Sequence, residues 1–279
     1  MTAPAAELRR LAELEVLAWP AFDGLDVDAL VTTRSGGVSQ GCYESLNLGL
    51  HVGDDDKDVL ENRRRAAGAL DADLGDMVYC NQSHGRAVHV VTAADRGLGS
   101  LTQDDAIAST DALVTAEPGI VLVTMVADCV PIVLYDPVAH VLAGVHAGWR
   151  GTVARVTEAA VAAMSALGSR PEDIMAGLGP AIAPGRYQVG GDVLDAAHEC
   201  FGDRHDEVIR PDGTGKWLFD LWTANQIVLR DAGLRDTNVQ LAAIPTGSAG
   251  SGRFFSDREA RPCGRFAAIA RLRPRSAQG

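Results

Sequence analysis

The sequence predicts a single α/β domain with a mixed sheet, and three observations predict it. Short apolar strands alternate with amphipathic stretches along the 279 residues, with no linker, repeat or low-complexity tract between them. Apolar runs at 120–127, 132–135 and 141–145, with a turn signal at Asp136-Pro137, have the pattern of a central antiparallel hairpin. No Gly-X-Gly-X-X-Gly follows a strand, which disfavours a purely parallel dinucleotide-binding sheet.

Each element has a local reason. Residues 27–33 read as a strand that runs into Arg34-Ser35-Gly36-Gly37, a turn whose glycines let backbone approach a ligand. Ser45-Leu46-Asn47-Leu48-Gly49 is a loop, and the carboxylates at 54–58 suit the start of a helix reaching Leu70. A short strand at 77–79 leads into the polar loop Cys80-Asn81-Gln82-Ser83-His84-Gly85, and 86–92 is a strand again. After the hairpin, Val153, Val156, Ala160, Met164 and Leu167 give one helix an apolar stripe, with Gly168 as its stop. A strand at 174–178 and the rigid loop Gly179-Pro180-Ala181-Ile182-Ala183-Pro184 lead to Tyr187 and a helix at 193–200. Asp220 caps a helix carrying Leu221, Ala224, Ile227 and Val228, which ends near Gly233. Residues 239–244 and 266–272 are the last strands. The expected division is an N-terminal extension at 1–25, one domain at 26–274 and a polar tail at 275–279.

Composition narrows the function. A formal charge of −12, with Lys57 and Lys216 the only lysines, repels a long polyanion, so nucleic acid is an unexpected partner. A few arginines in a cleft can still hold a small anion. The five cysteines are odd in number, scattered and without a Cys-X-X-Cys, which fits the reducing cytoplasm rather than a disulfide framework. Charges interrupt the N-terminal apolar residues, as they do not in a signal peptide, and no apolar run is long enough for a membrane span.

The chemistry concentrates where the apolar strands end. The first run stops at Asp128-Cys129 and the second at His146. If the hairpin turns on Pro137-Val138, Cys129 lies opposite His146, with Cβ atoms about 4.5–5.5 Å apart, a separation one zinc ion bridges. A bulge at Pro131 would instead put the two on opposite faces. His84 is the third candidate ligand, and three ligands with one open position is the arrangement of a catalytic zinc. The bland alternative is a buried cysteine and a satisfied core histidine. Asp128 is either a cap that supports the ligands or a group that orients water and moves its proton. Gly148-Trp149-Arg150-Gly151-Thr152 places N–H groups, an arginine and a hydroxyl at a helix start, a physical anion site. Arg34 and Arg63 are further anion candidates. A metal-free Cys-His dyad with Cys129 as nucleophile is the competing enzyme reading. Multicopper oxidation fits poorly, because the seven histidines include no His-X-His pair.

The motifs Thr32-Thr33-Arg34-Ser35-Gly36-Gly37-Val38-Ser39, Ser45-Leu46-Asn47-Leu48-Gly49, Asn81-Gln82-Ser83-His84-Gly85, Ala127-Asp128-Cys129-Val130-Pro131 and His146-Ala147-Gly148-Trp149-Arg150-Gly151-Thr152 together resemble the YfiH/YlmD family. The resemblance continues through Gly179-Pro180-Ala181-Ile182, Phe254-Phe255-Ser256 and Gly264-Arg265. Members were long labelled laccase-like polyphenol oxidases and are described as zinc-dependent purine nucleoside phosphorylases that also deaminate adenosine. The resemblance implies phosphorolysis of adenosine, inosine, guanosine and methylthioadenosine, with nucleoside and phosphate as partners. It implies that His84, Cys129 and His146 hold Zn2+ and that Asn47 and Arg63 lie in the pocket with Arg34 beside it; Cys129, Asp128 and His84 are the expected catalytic residues, and Arg150 a further expected substrate contact. The fold it implies is a mixed-sheet sandwich flanked by helices, related to cytotoxic necrotizing factor catalytic domains. A peptidoglycan-precursor editing hydrolase is the alternative function, and a copper polyphenol oxidase a weaker one. Late departures from the family pattern are Gly185-Arg186, Pro245-Thr246 and Ser256-Asp257-Arg258-Glu259, which bear on substrate preference.

Overall fold

The computed structural model describes residues 5–275. Most of the tail assigned to 275–279 therefore lies outside the described residues, as do the first four residues of the assigned extension. The chain opens with β1 (Glu7–Leu11), β2 (Leu14–Ala18), β3 (Val27–Thr32), helix α1 (Asp56–Gly68) and β4 (Met77–Val78). Next come β5 (Val88–Val90), β6 (Ala112–Thr115), β7 (Val121–Val126), β8 (Val130–Asp136) and β9 (Val141–Ala147). Helices α2 (Trp149–Val153) and α3 (Val156–Ala166) precede β10 (Met175–Leu178), β11 (Gln188–Val189) and α4 (Gly191–Phe201). Strands β12 (Ile209–Pro211) and β13 (Trp217–Phe219), helix α5 (Leu221–Asp231), β14 (Val239–Leu241) and β15 (Phe266–Leu272) complete it.

Two six-stranded mixed sheets stack face to face. The first has the order β1-β2-β3-β15-β7-β4 and the second β14-β10-β8-β9-β6-β5. Both are mainly antiparallel, with parallel pairs at β4/β7, β5/β6 and β10/β14. Leu122, Val126 and Ala268 of the first sheet meet Val133, Tyr135 and Leu142 of the second in one core. Alternate residues point outward: Val121, Val123 and Met125 pack with Ala66 and Ala67 of α1, while Val141, Ala143 and Val145 pack with α3, α4 and α5. The layers run helix, sheet, sheet, helix. Strands buried on both faces are apolar on both, which is why β7, β8 and β9 read as predominantly apolar runs rich in Val and Leu.

Helix ends follow the local chemistry. The Asp55 carboxylate accepts from Lys57 N to cap α1, and Asp220 accepts from Thr223 N to cap α5. The single helix expected after the hairpin is two, broken where Arg155 takes φ 62°. Ion pairs from Arg155 to Glu158 and Asp231 hold that kink, a tertiary cause with no local sequence signal. Residues 7–18, assigned to the extension, form the β1/β2 hairpin on the edge of the first sheet, and Leu14, Val16 and Leu17 are buried.

The hairpin register differs from expectation by two residues. Pro131, not Cys129, pairs with His146, because the turn spans 137–140 and not two residues. Asp136 Oδ1 accepts from Val138 N and Ala139 N, which organises that longer turn. A shift of two keeps side chains on the same face, so the feared bulge at Pro131 does not separate the candidate ligands.

Gly177 on β10 lies under the Trp19 ring, where an added Cβ would stand 2.7 Å from the indole. Gly177→Ala should therefore cost about 1–3 kcal/mol of unfolding free energy in urea melts. Gly68→Ala, with nothing within 4 Å of the new methyl, should be neutral or stabilising by up to about 1 kcal/mol. Equal effects from the two would contradict the packing described.

Candidate metal centre

The chain leaves the first sheet at the end of β7 and enters the second at β8, and the crossover is Ala127-Asp128-Cys129. His146 comes from the end of β9 and His84 from the loop after β4. Ligand atoms of His84, Cys129 and His146 all lie within 4.8 Å of one another. The Cys129 Sγ is 3.8 Å from His84 Nε2, and the two imidazoles meet edge to face at 4.7 Å. One ion about 2.0–2.3 Å from each donor fits this set with modest contraction. An added Cβ at Gly148 would lie 2.8 Å from both the Cys129 sulfur and the His84 ring, so only glycine leaves the donors their room.

Asp111 organises the ligands, and sequence reading missed it. Its Oδ1 accepts from His146 Nδ1 at 2.8 Å and from His84 N at 2.9 Å. Its Oδ2 accepts from Gly85 N, Ser83 N and Ser83 Oγ. The only available signal was a charged residue at the mouth of an all-buried strand, β6. Donation from Nδ1 leaves Nε2 as the His146 atom that can bind an ion, in place of the proton it carries as imidazolium.

Electrostatics follow from this packing. Burial would raise the Asp111 carboxyl, but the His146 hydrogen bond and loop N–H groups outweigh it and bring it to about 2. Burial would likewise raise the Cys129 thiol, yet the His146 and His84 rings bring it down to about 6. Against the opposing pull of burial, Cys129 and Asp111 lift His146 to about 9. Cys80 lines the same cavity, and there burial dominates and pushes the thiol up to about 12. Cys129 is thus the reactive sulfur, whether as ligand or nucleophile.

The donors open into a cavity of about 550 Å³. Its wall carries four arginines (Arg150, Arg258, Arg261, Arg265) and two aspartates (Asp128, Asp257), so it is cationic in an acidic chain. Of the residues predicted from sequence, the cavity brings together His84, Asp128, Cys129, His146 and Arg150. Asn47, Arg63 and Arg34 do not line it. Asn47 is fully buried, bonding Asp54 and the backbone of Gly49 and Arg265. Arg63 is fully buried too: it donates to the carbonyls of Leu48, Gly99 and Ser100 and stacks 3.9 Å over Tyr79. Arg34 donates to Glu44 O and covers the Phe255 ring. All three buttress loops rather than face the open volume.

One further expectation changes. Thr152 is buried with its hydroxyl accepting from Asn225, so it is not part of an anion site. Asp128 reaches the wall, and its oxygens accept from Thr246 Oγ1 and Arg258 N. Asp128 and His84 both hold positive φ, 89° and 60°, a strain concentrated at the centre. Tyr187, Arg258, Arg261, Arg265 and His51 line the cavity and lay outside the sequence-predicted set, because tertiary packing and not local pattern brings them to it.

Near pH 7 the metal-free centre pairs a thiolate with an imidazolium, so uptake of a divalent ion should release about one proton. Below pH 6 the release should approach two, and above pH 9 fall towards zero, as read by calorimetry in buffers of different ionisation enthalpy. Asp111→Asn should weaken metal affinity by about 10–100-fold while far-UV circular dichroism is retained. An unchanged affinity would remove Asp111 from the centre.

With this geometry in place, comparison with known proteins is direct. The family model described as multi-copper polyphenol oxidoreductase laccase matches residues 28–273. The chain is 37% identical to the protein named purine nucleoside phosphorylase YlmD of Bacillus subtilis, over 84% of each. It is 40% identical to the protein named adenosine deaminase RL5, from an unknown prokaryotic organism, over 76% of this chain and 81% of that one. The crystal structure of YlmD from Geobacillus stearothermophilus superposes with a TM-score of 0.90 at 35% identity, covering 96% of this chain and 99% of that one. The two-sheet sandwich, the His-Cys-His cluster and these matches together make the chain a member of the laccase-domain YfiH/YlmD family.

Proposed function

We propose that the protein is a zinc-dependent purine nucleoside phosphorylase that also deaminates adenosine. Adenosine, inosine, guanosine and methylthioadenosine are its nucleosides, and phosphate is the co-substrate. The observation that carries this reading is a three-donor centre opening on an arginine-bearing cavity, in a chain whose relatives bear those two enzyme names. The five cysteines are free, which fits a cytoplasmic enzyme, and among the described residues no helix is long and apolar enough to cross a membrane.

The donor chemistry favours zinc over copper. Two imidazoles and a thiolate with an open side are a catalytic zinc set. A multicopper site needs more imidazoles, and His84, Cys129 and His146 are the single cluster of three or more potential ligands among the described residues. A blue-copper site would add an axial methionine. Met125 is on the cavity wall, but its sulfur faces the Arg63 guanidinium at 4.0 Å.

Held by His84, Cys129 and His146, zinc would supply a Lewis acid at the cavity wall. The protein's own groups do the rest. Asp111 fixes His146, and Asp128 fixes the turn that presents Arg258. The arginines hold phosphate while one of its oxygens bonds the ribose anomeric carbon and the glycosidic C–N bond breaks. The departing purine takes up a proton, and Tyr187 lines the cavity with a hydroxyl that burial keeps protonated. In deamination, water oxygen replaces the amino group at purine C6 and ammonia leaves.

Chromatography of nucleoside incubations tests the assignment. Adenosine with phosphate should yield adenine and ribose 1-phosphate, and adenosine alone should yield inosine. A chelator should abolish both, zinc should restore both, and Cys129→Ser should lower turnover by about a hundredfold or more. Full activity in metal-free protein would make Cys129 a nucleophile, and absence of every product would end the proposal.

A further inference from the structure

Asp257 holds two arginines of the cavity wall at once. One carboxylate oxygen, Oδ2, takes the Arg261 guanidinium at 2.7–2.8 Å, and the other, Oδ1, takes Arg265 Nη2 at 3.3 Å. A carboxylate bridging two guanidiniums, one oxygen on each, is the geometry a tetrahedral oxyanion adopts between the same groups. The rest of Arg265 is tied down, since its Nη1 donates to the carbonyls of Cys263 and Gly264, and Nη2 is the arm that meets Asp257.

The turn that carries Asp257 is itself pinned. Arg258 N donates to Asp128, the Arg258 guanidinium donates to Gln188 O, and Glu259 N donates to Ser256 Oγ. Rotation of the Asp257 side chain alone would expose the arginine pair. Its carboxylate is about one-third exposed and Arg261 about three-quarters exposed, so water screens these bonds and exchange with a second anion is inexpensive. Arg150 and Arg258 lie along aromatic rings, Trp149 and Tyr187, and leave Arg261 and Arg265 as the pair already paired with an anion inside the cavity.

Resting on the phosphorylase reading above, we propose that Arg261 and Arg265 form the phosphate subsite and that Asp257 is its resident counter-anion. Phosphate binds by displacing the Asp257 carboxylate, which swings toward solvent. Asp257 thereby sets the phosphate concentration the enzyme requires: it competes with inorganic phosphate but not with the nucleoside.

Two measurements on the full-length, zinc-loaded protein test this. In equilibrium dialysis with radiolabelled inorganic phosphate, Asp257→Asn should bind phosphate about three- to tenfold more tightly than the parent, and Arg261→Met about three- to tenfold more weakly. In steady-state phosphorolysis of inosine, Asp257→Asn should lower KM for phosphate by a similar factor and leave KM for inosine unchanged. A raised KM for inosine with unchanged phosphate affinity would overturn the inference and give Asp257 a place on the ribose. Phosphate affinity unaffected by either substitution would also overturn it, with the phosphorylase assignment intact. Tighter phosphate binding by Asp257→Asn in a protein that cleaves no nucleoside would keep the subsite and end the phosphorylase assignment.

Discussion

The buried carboxylate of Asp111 is the constraint from which the centre follows. A carboxylate taken out of water is strongly unfavourable unless its lone pairs are used. Here five donors use them: Ser83 N, Ser83 Oγ, His84 N, Gly85 N and His146 Nδ1. Four belong to one short loop and the fifth to the end of β9, so satisfying the charge also places His84 beside His146. Ligand geometry is a by-product of solvating a buried anion with protein. This also explains why the loop tolerates a positive φ at His84.

The second requirement is the seam between the sheets. Val133, Tyr135 and Leu142 on one side and Leu122, Val126 and Ala268 on the other make it apolar along most of its length. Polar chemistry is possible where the seam ends and the chain crosses from β7 to β8. Cys129 stands one residue before β8, and Gly144 and Gly148 on the β9 side keep the approach close: an added Cβ at Gly144 would stand 2.8 Å from the Thr124 hydroxyl. Rigid strands thus deliver two of the three donors, and a loop tied to them delivers the third.

Legibility in the sequence tracked physical locality. Strands β3, β7, β8, β9 and β15 were readable because their mostly buried residues are predominantly apolar. Helix α1 was readable from the carboxylates at 54–58 and α5 from its cap Asp220. The hairpin register was off by two because the turn closes through the Asp136 side chain, an Asx-type arrangement that the Pro137-Val138 pattern conceals. Charged residues in β1 hid the N-terminal hairpin, and the α2/α3 break depends on Asp231, far along the chain. The three metal donors stood out as strand-end and loop residues, whereas Asp111, Tyr187, Arg261 and Arg265 enter through tertiary neighbours alone. Arg63 misled because a guanidinium can be fully buried on carbonyl oxygens with no carboxylate beside it, and nothing local marks that outcome.

Strand β15 lies in the middle of the first sheet, bonded on one side to β3 and on the other to β7, although it is the last strand in the chain. On the ribosome, every earlier strand of that sheet emerges before the one that joins its two halves. The nascent chain must therefore shelter an open β3 edge and an open β7 edge until residues 266–272 have been made. Arg265 directly precedes β15, so a guanidinium of the cavity wall and the strand that closes the sheet are made together.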